Sequence, residues 1–243
     1  MIKFFRHIRK RLVDNNRVSK YFIYAIGEIL LVVIGILIAL QINNWNENRK
    51  LENQEIKILK ELRANLKDDF LDHTVNMEWY ANSANSAKIV VESLEVRAPW
   101  NDTLSLHYGR IFTKGLANLN LSAYENLKYQ GFNLIQSDSI RNALTHLHTN
   151  QYDRLLKYEK ELSIDNNNQV VLPVFLKRLK MDRWFHATPL DYEALLNDLE
   201  FREVVRFNGI TMDFMKSHSN DSRKKVIELI SMIERELDRR LIN

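Results

Sequence analysis

YFIYAIGEILLVVIGILIALQI, Tyr21 to Ile42, decides the architecture of this chain: it runs apolar for 22 residues, with Glu28 as its only charge. A helix of ~20 apolar residues crosses the ~30 Å of hydrocarbon in a bilayer, so the stretch is long enough to span one. From Ile29 to Leu40 the apolar run is uninterrupted and covers every face of a helix. The alternative, a core helix of a soluble protein, is disfavoured by the flanking charge. Seven basic residues precede the span (Lys3, Arg6, Arg9, Lys10, Arg11, Arg17 and Lys20), against one acid, Asp14. Residues 43–60 instead mix Arg49, Lys50, Lys57 and Lys60 with Glu47, Glu52 and Glu55. The positive-inside rule then places the N-terminus in the cytoplasm and the rest of the chain across the membrane. Tyr21, Tyr24 and Trp45 stand where aromatic belts form.

A secretory signal peptide shares this polarity, but its apolar core is ~7–15 residues long and ends in small residues of A-x-A type. Here the end reads IALQINNWNE, which predicts a retained signal-anchor. The expected organisation is a basic cytoplasmic tail over 1–20, a transmembrane helix over 21–42 and an extracytoplasmic helical bundle over 43–243. MIKFFRHIRKRLV, residues 1–13, puts Met1, Phe5, Ile8 and Leu12 on one helical face. Either this is a helix lying on the inner leaflet, with Lys3, Arg6, Arg9, Lys10 and Arg11 facing anionic lipid, or it is an unstructured topogenic tail.

Glu28 falls roughly 10 Å into the span at ~1.5 Å per residue, where an ionisable group costs ~2–3 kcal/mol without a partner. Gly35 and Ala39 follow at +7 and +11 on the same face, a small-xxx-small pair of the kind that lets helices approach closely in lipid. Glu28, Gly35 and Ala39 together read as a transmembrane contact face. The competing readings are an interface marker and an ion-coupling role, the latter needing further intramembrane polar partners that the span does not supply.

Only 6 Gly and 3 Pro occur in 243 residues, and no Cys; that composition favours long helices and excludes disulfides and thiolate metal sites. Leu51, Ile56, Leu59, Leu62, Leu66, Phe70 and Met77 recur at helical spacing, so the membrane helix is expected to run on towards Val96, or to break near Asn82–Asn85. Shorter helices are expected over Leu104–Phe112, from Ser122 to Gly131 with capping-box spacing at Ser122 and Glu125, and from Ser137 to a stop at the DNNN run, Asp165–Asn168. Val170–Leu179, with Pro173, begins or kinks another, and Thr188-Pro189 opens the next. SRKKVIELISMIERELDRRLIN closes the sequence with a near-heptad coiled-coil stripe, Val226, Ile230, Ile233, Leu237 and Leu241. No strand alternation or hairpin dipeptide is apparent. The fold class expected is all-α: one N-terminal transmembrane helix followed by an antiparallel bundle.

YAIGEILLVVIGILIALQINNWNE, Tyr24 to Glu47, with the MIKFFR start and the middle element LSAYENLKYQGFNLI, Leu121 to Ile135, resembles an uncharacterised family of short bacterial membrane proteins classed as a domain of unknown function. The resemblance is close over the first 50 residues and looser beyond. It implies a bacterial inner-membrane location and carries over neither an activity nor catalytic residues.

The chemistry legible in the side chains is sparse. No phosphate loop, dinucleotide fingerprint, nucleophile elbow or HExxH motif occurs, so no enzyme activity, cofactor or metal is expected. His146 and His148 stand two apart and point away from each other on a helix, which prevents a shared metal. After residue 40 there are 28 basic and 29 acidic side chains, and a near-neutral domain lacks the footprint of a nucleic-acid binder. Of Trp79, Tyr80, Trp100, Tyr108, Tyr124, Tyr129, Trp184 and Phe185, most read as core and a minority as lining a groove. Two functions fit: an anchored scaffold that self-associates or docks on another envelope membrane protein, and a ligand-sensing bundle that relays through a partner.

Overall fold

The computed structural model describes residues 18–242. The basic tail residues Lys3, Arg6, Arg9, Lys10 and Arg11, and the amphipathic helix considered for residues 1–13, lie outside them. The chain is mostly helical and divides into two compact units, Met1–Gln54 and Glu55–Asn243. Helix α1 covers Val18–Glu95 without a break at Asn82–Asn85.

In the first unit α1 is long and apolar enough to cross a membrane, and its apolar window, of mean hydropathy 2.7, has no residue buried inside the protein. Ile29, Leu31 and Leu37 are each more than half exposed.

The second unit is built on the pairing of two long helices. The remaining helices are α2 (Leu104–Arg110), α3 (Ser122–Gln130), α4 (Asp138–His146), α5 (Asp153–Tyr158), α6 (Leu172–Leu176), α7 (Tyr192–Leu195) and α8 (Leu199–Ile242). Along α1 and α8 the partners run in opposite order. Glu55 meets Arg240 at 2.9 Å, Lys67 meets Glu234 at 3.0 Å, His73 meets Ser219 at 3.2 Å, and Glu95 meets Arg206 at 2.7 Å. The helices therefore lie antiparallel. Ile58, Leu59, Leu62 and Leu66 pack against Val226, Leu229, Ile233 and Leu237 in one cluster, and Val90 and Leu94 join Phe201 and Val205 in another. Val226, Ile230, Ile233 and Leu237 of the heptad-like stripe of α8 are thus spent inside this unit, against α1.

Several local signals act as the sequence suggests. The Ser137 hydroxyl accepts from the Ile140 amide at the start of α4, supplying an acceptor to an otherwise unpaired first-turn N–H. Gly131 ends α3 at φ 101°, a conformation open to glycine at little cost. Others do not. The DNNN run does not stop the helix: the path continues through π-helical turns, Glu159–Asp165 and Asn167–Val171, into α6. Thr188-Pro189 lies in a strand, and α7 is capped instead by Asp191, whose carboxylate accepts the Ala194 amide at 3.0 Å.

The all-α expectation needs one correction. Strands β1 (Leu179–Arg183) and β2 (His186–Pro189) pair antiparallel with an irregularity between Met181 and Arg183, joined by the two-residue turn Trp184-Phe185. Phe185 has φ 64°. Hairpin turns are usually marked by glycine or asparagine at such positions, and this one carries two aromatics, so it left no turn signature to read.

Candidate functional site

Ile111–Leu121 forms neither helix nor strand, although several of its residues are wholly or partly buried. Buried backbone groups need partners, and α1 provides them from one face. Ser83 donates to the Ile111 carbonyl at 3.2 Å, Tyr80 to that of Gly115 at 3.0 Å, and Asn76 to that of Leu116 at 3.2 Å. Asp72 accepts the Asn118 amide at 3.1 Å and Asp69 that of Asn120 at 2.6 Å. The five side chains are spaced 3, 4, 4 and 3 residues apart, the pattern of a single helical stripe, and they meet the loop in reverse order. From the other side Glu159 accepts the Ala117 amide at 2.9 Å and Asn208 donates to Ile111 at 2.9 Å. The loop is strapped down along its length.

The titratable groups beneath it are perturbed. Burial pushes Asp69 up to about 6, against the opposing bonds from Tyr152 and Asn120. Burial, with Asp69 beside it, pushes the Tyr152 phenol well above its ordinary range. Burial likewise raises Asp72 and Glu159. His73 is held down to about 4 by burial and by Arg223, and His148 to about 4 by burial alone. His148 stacks on Tyr124 with ring centroids 3.7 Å apart, while His146 is exposed, so the two histidines diverge. Shifts of this kind often mark reaction centres. Here the carboxylates of Asp69, Asp72 and Glu159 hold backbone amides, which gives them a structural task.

The strapped loop forms one wall of a cleft of about 510 Å³. Phe112, Thr113, Lys114 and Leu116 come from the loop, Trp79 from α1, Leu172 and Leu176 from α6, and Met181, Trp184 and Phe185 from the hairpin. The volume falls in the ~300–1,000 Å³ range of small-molecule sites. Gly109 allows the hairpin to close the cleft: a Cβ there would stand 2.2 Å from the Phe185 carbonyl carbon. Phe185 stacks on Trp79 at 5.5 Å, while Trp184 is 80% exposed at the rim. Polar functions in the lining are few. The Thr113 hydroxyl donates to the Arg110 carbonyl at 2.7 Å, and the Lys114 ammonium to the Ser163 carbonyl at 3.1 Å. Burial lowers the Lys114 pKa, with Glu159 acting in the opposite sense.

Among the sequence-derived candidates, Gly35 and Ala39 are exposed on α1, and a Cβ on Gly35 would meet nothing within 4 Å. Glu28 is half-buried on the same helix. Of the eight singled-out aromatics, Tyr80, Tyr108 and Tyr124 are core, Trp100 packs partly buried against it, Tyr129 is 91% exposed, and Trp79, Trp184 and Phe185 line the cleft. The polar stripe on α1 was missed, although its spacing is visible in the sequence. Gly109 and Lys114 carried no signal that separated them from their neighbours.

These features describe a mostly helical protein with an uncovered apolar helix in one unit and a strapped-loop cleft in the other. Residues 28–93 match DUF6090, a family of unknown function; the matched stretch includes most of the apolar run and the whole polar stripe. Comparison with curated proteins and with solved structures gave no match.

Proposed function

We propose that the chain is a single-span protein of a bacterial inner membrane, with its N-terminus cytoplasmic and its helical bundle extracytoplasmic, acting by binding rather than by catalysis. One observation carries the reading: the apolar window of the first unit's helix has no residue buried inside the protein. Ile29, Leu31 and Leu37 are 58–67% exposed, and a contiguous apolar surface of this extent demands lipid or a partner. Beyond the bilayer, the partners expected are a second copy or another envelope membrane protein, reached through the face of Glu28, Gly35 and Ala39. The test is alkaline carbonate extraction of native membranes, combined with a protease-sensitive tag after Asn243. Retention in the pellet, with the tag cleaved only from the periplasmic side, is the expected result. Release into the supernatant, or a tag cleaved only from the cytosolic side, overturns the reading.

A second reading, a ligand-sensing bundle that relays through a partner protein, is favoured by the cleft between the strapped loop and the hairpin. It shares the anchor and differs in what the second unit recognises.

A further inference from the structure

The cleft is sided. Trp79, Phe112, Leu172, Leu176, Met181 and Trp184 offer apolar surface, and Lys114 is the only charged residue in the lining. The Lys114 side chain is half-buried, and among the described residues its ammonium makes no ion pair within 4.0 Å. One of its three N–H groups is spent on the Ser163 carbonyl, which leaves donors available. Glu159 acts on the ammonium from beyond ion-pair distance and is engaged by the Ala117 amide, so the remaining N–H groups of Lys114 favour an anion brought from outside. The apolar remainder favours a body with no polar groups to strand.

The walls are also constructed at some cost. Phe185 occupies a left-handed backbone conformation that a bulky side chain rarely adopts. That strain places its ring against Trp79, inside the cleft, and turns Trp184 to the rim. Gly109 gives up its side chain so that the turn can seat against α2. The opposite wall, Phe112 to Leu116, is fixed by the hydrogen bonds to Tyr80 and Asn76. Both sides are therefore preformed, which reduces the ordering cost of binding.

We infer that this cleft binds a single-chain amphiphile, its hydrocarbon body lying against Trp79, Phe112 and Trp184 and its anionic head meeting Lys114. The inference deepens the second reading above by naming a ligand class, and it makes no use of the membrane segment. A carboxylate head would come from a free fatty acid and a phosphate head from a lysophospholipid; both satisfy the same ammonium.

The test uses the full chain in phosphatidylcholine nanodiscs, photolabelled with a diazirine-bearing dodecanoate, with the labelled residues mapped by mass spectrometry. Label is expected on the segments around Trp184, Leu176 and Phe112. Dodecanoate or dodecyl phosphate should compete, and 1-dodecanol should compete about tenfold less well, the value of one hydrogen bond to a charged group. A stronger effect from dodecanoate assigns the free acid as the source, and one from dodecyl phosphate assigns the phospholipid. Lys114→Gln should weaken the anions by about the same factor and leave 1-dodecanol unchanged, whereas Trp184→Ala should weaken all three. Trp184 is exposed, so that variant is expected to melt like the parent, and near-ultraviolet circular dichroism checks both. Label confined to residues 22–42 would mean bilayer partitioning alone and overturn the inference. So would equal competition by the alcohol, or an unchanged Lys114→Gln variant. Failure of the chain to enter nanodiscs would instead count against the membrane reading. In that event the same competition is run on the chain free in buffer.

Discussion

The carboxylate of Asp69 is shared between Tyr152, whose hydroxyl donates at 2.6 Å, and the Asn120 amide, also at 2.6 Å. One side chain on α1 thus ties the end of the strapped loop to the π-helical segment Leu147–Tyr152 between α4 and α5. Each buried donor left without an acceptor costs about 1–3 kcal/mol. Asp69→Ala strands two of them and is expected to lower stability by about 2–6 kcal/mol. Asp69→Asn keeps one acceptor and should cost clearly less. Urea unfolding of the two variants, followed by circular dichroism, measures the difference; equal losses would mean that the carboxylate is not the tie.

Gly109 makes a sharper geometric demand. The atoms that a Cβ would meet at 2.2–2.4 Å are backbone atoms of Phe185 and His186, which cannot swing aside as a flexible side chain would. Gly109→Ala is expected to cost about 1–3 kcal/mol, the usual range for overpacking. It should also part Phe185 from Trp79. A red shift of tryptophan emission checks this, with Gly35→Ala, where a Cβ meets nothing within 4 Å, as the silent control.

How far the fold can be read in the sequence depends on whether a signal is local. The unbroken apolar run at Ile29–Leu40, the Ser137 cap and the Gly131 stop are each set by nearby residues, and each appears where it was expected. The end of the helical path beyond Ser137 is not local. Asp165–Asn168 looks like a loop, but Val171, Val174 and Phe175 beyond it are buried, and their packing carries the helix through the polar run in π-helical form. The hairpin turn went unseen because Trp184-Phe185 is held by the Trp79 stack rather than by turn propensity. The stripe Asp69, Asp72, Asn76, Tyr80, Ser83 was visible as a period, but its acceptors and donors lie in a loop 28–51 residues away in sequence. A polar stripe on an amphipathic helix reads as a solvated face until that loop is known. The cleft inherits the same difficulty, since four separate segments converge to form it.

His148 supplies a pH dependence whose sign is fixed by burial. Its folded pKa of about 4 lies below the ordinary 6.5, so the unfolded chain takes up a proton that the folded one refuses. The stability this contributes is complete above pH 6.5 and is lost as pH falls towards 4, a loss of about 3 kcal/mol. His148→Phe keeps a ring on Tyr124 and removes the titration. The gap in stability between pH 7 and pH 4 should therefore shrink by about 3 kcal/mol relative to the parent. Asp69 acts in the opposite sense between pH 4 and 6, but it is present in both proteins and cancels. An unchanged gap would place the acid sensitivity elsewhere.

Arg178 and Asp198 join the hairpin side of the cleft to the start of α8. Arg178 donates from Nε to Asp198 at 2.5 Å and from Nη2 to Glu200 at 2.5 Å, while Asp198 Oδ1 accepts the Phe201 amide at 2.8 Å as an N-cap. The carboxylate therefore does two things at once, and two variants separate them. Asp198→Asn preserves the cap and should cost less than about 1 kcal/mol, because asparagine caps as well as aspartate. Asp198→Ala loses the cap and the fork and should cost about 2 kcal/mol. Arg178→Lys leaves the cap intact but cannot reproduce a planar two-pronged contact. It should speed hydrogen exchange at Leu179 in β1 while sparing the Phe201 amide, whereas Asp198→Ala should speed both. If Arg178→Lys exposed the Phe201 amide as well, the guanidinium would be holding the cap in place, and the two roles assigned to Asp198 would be one.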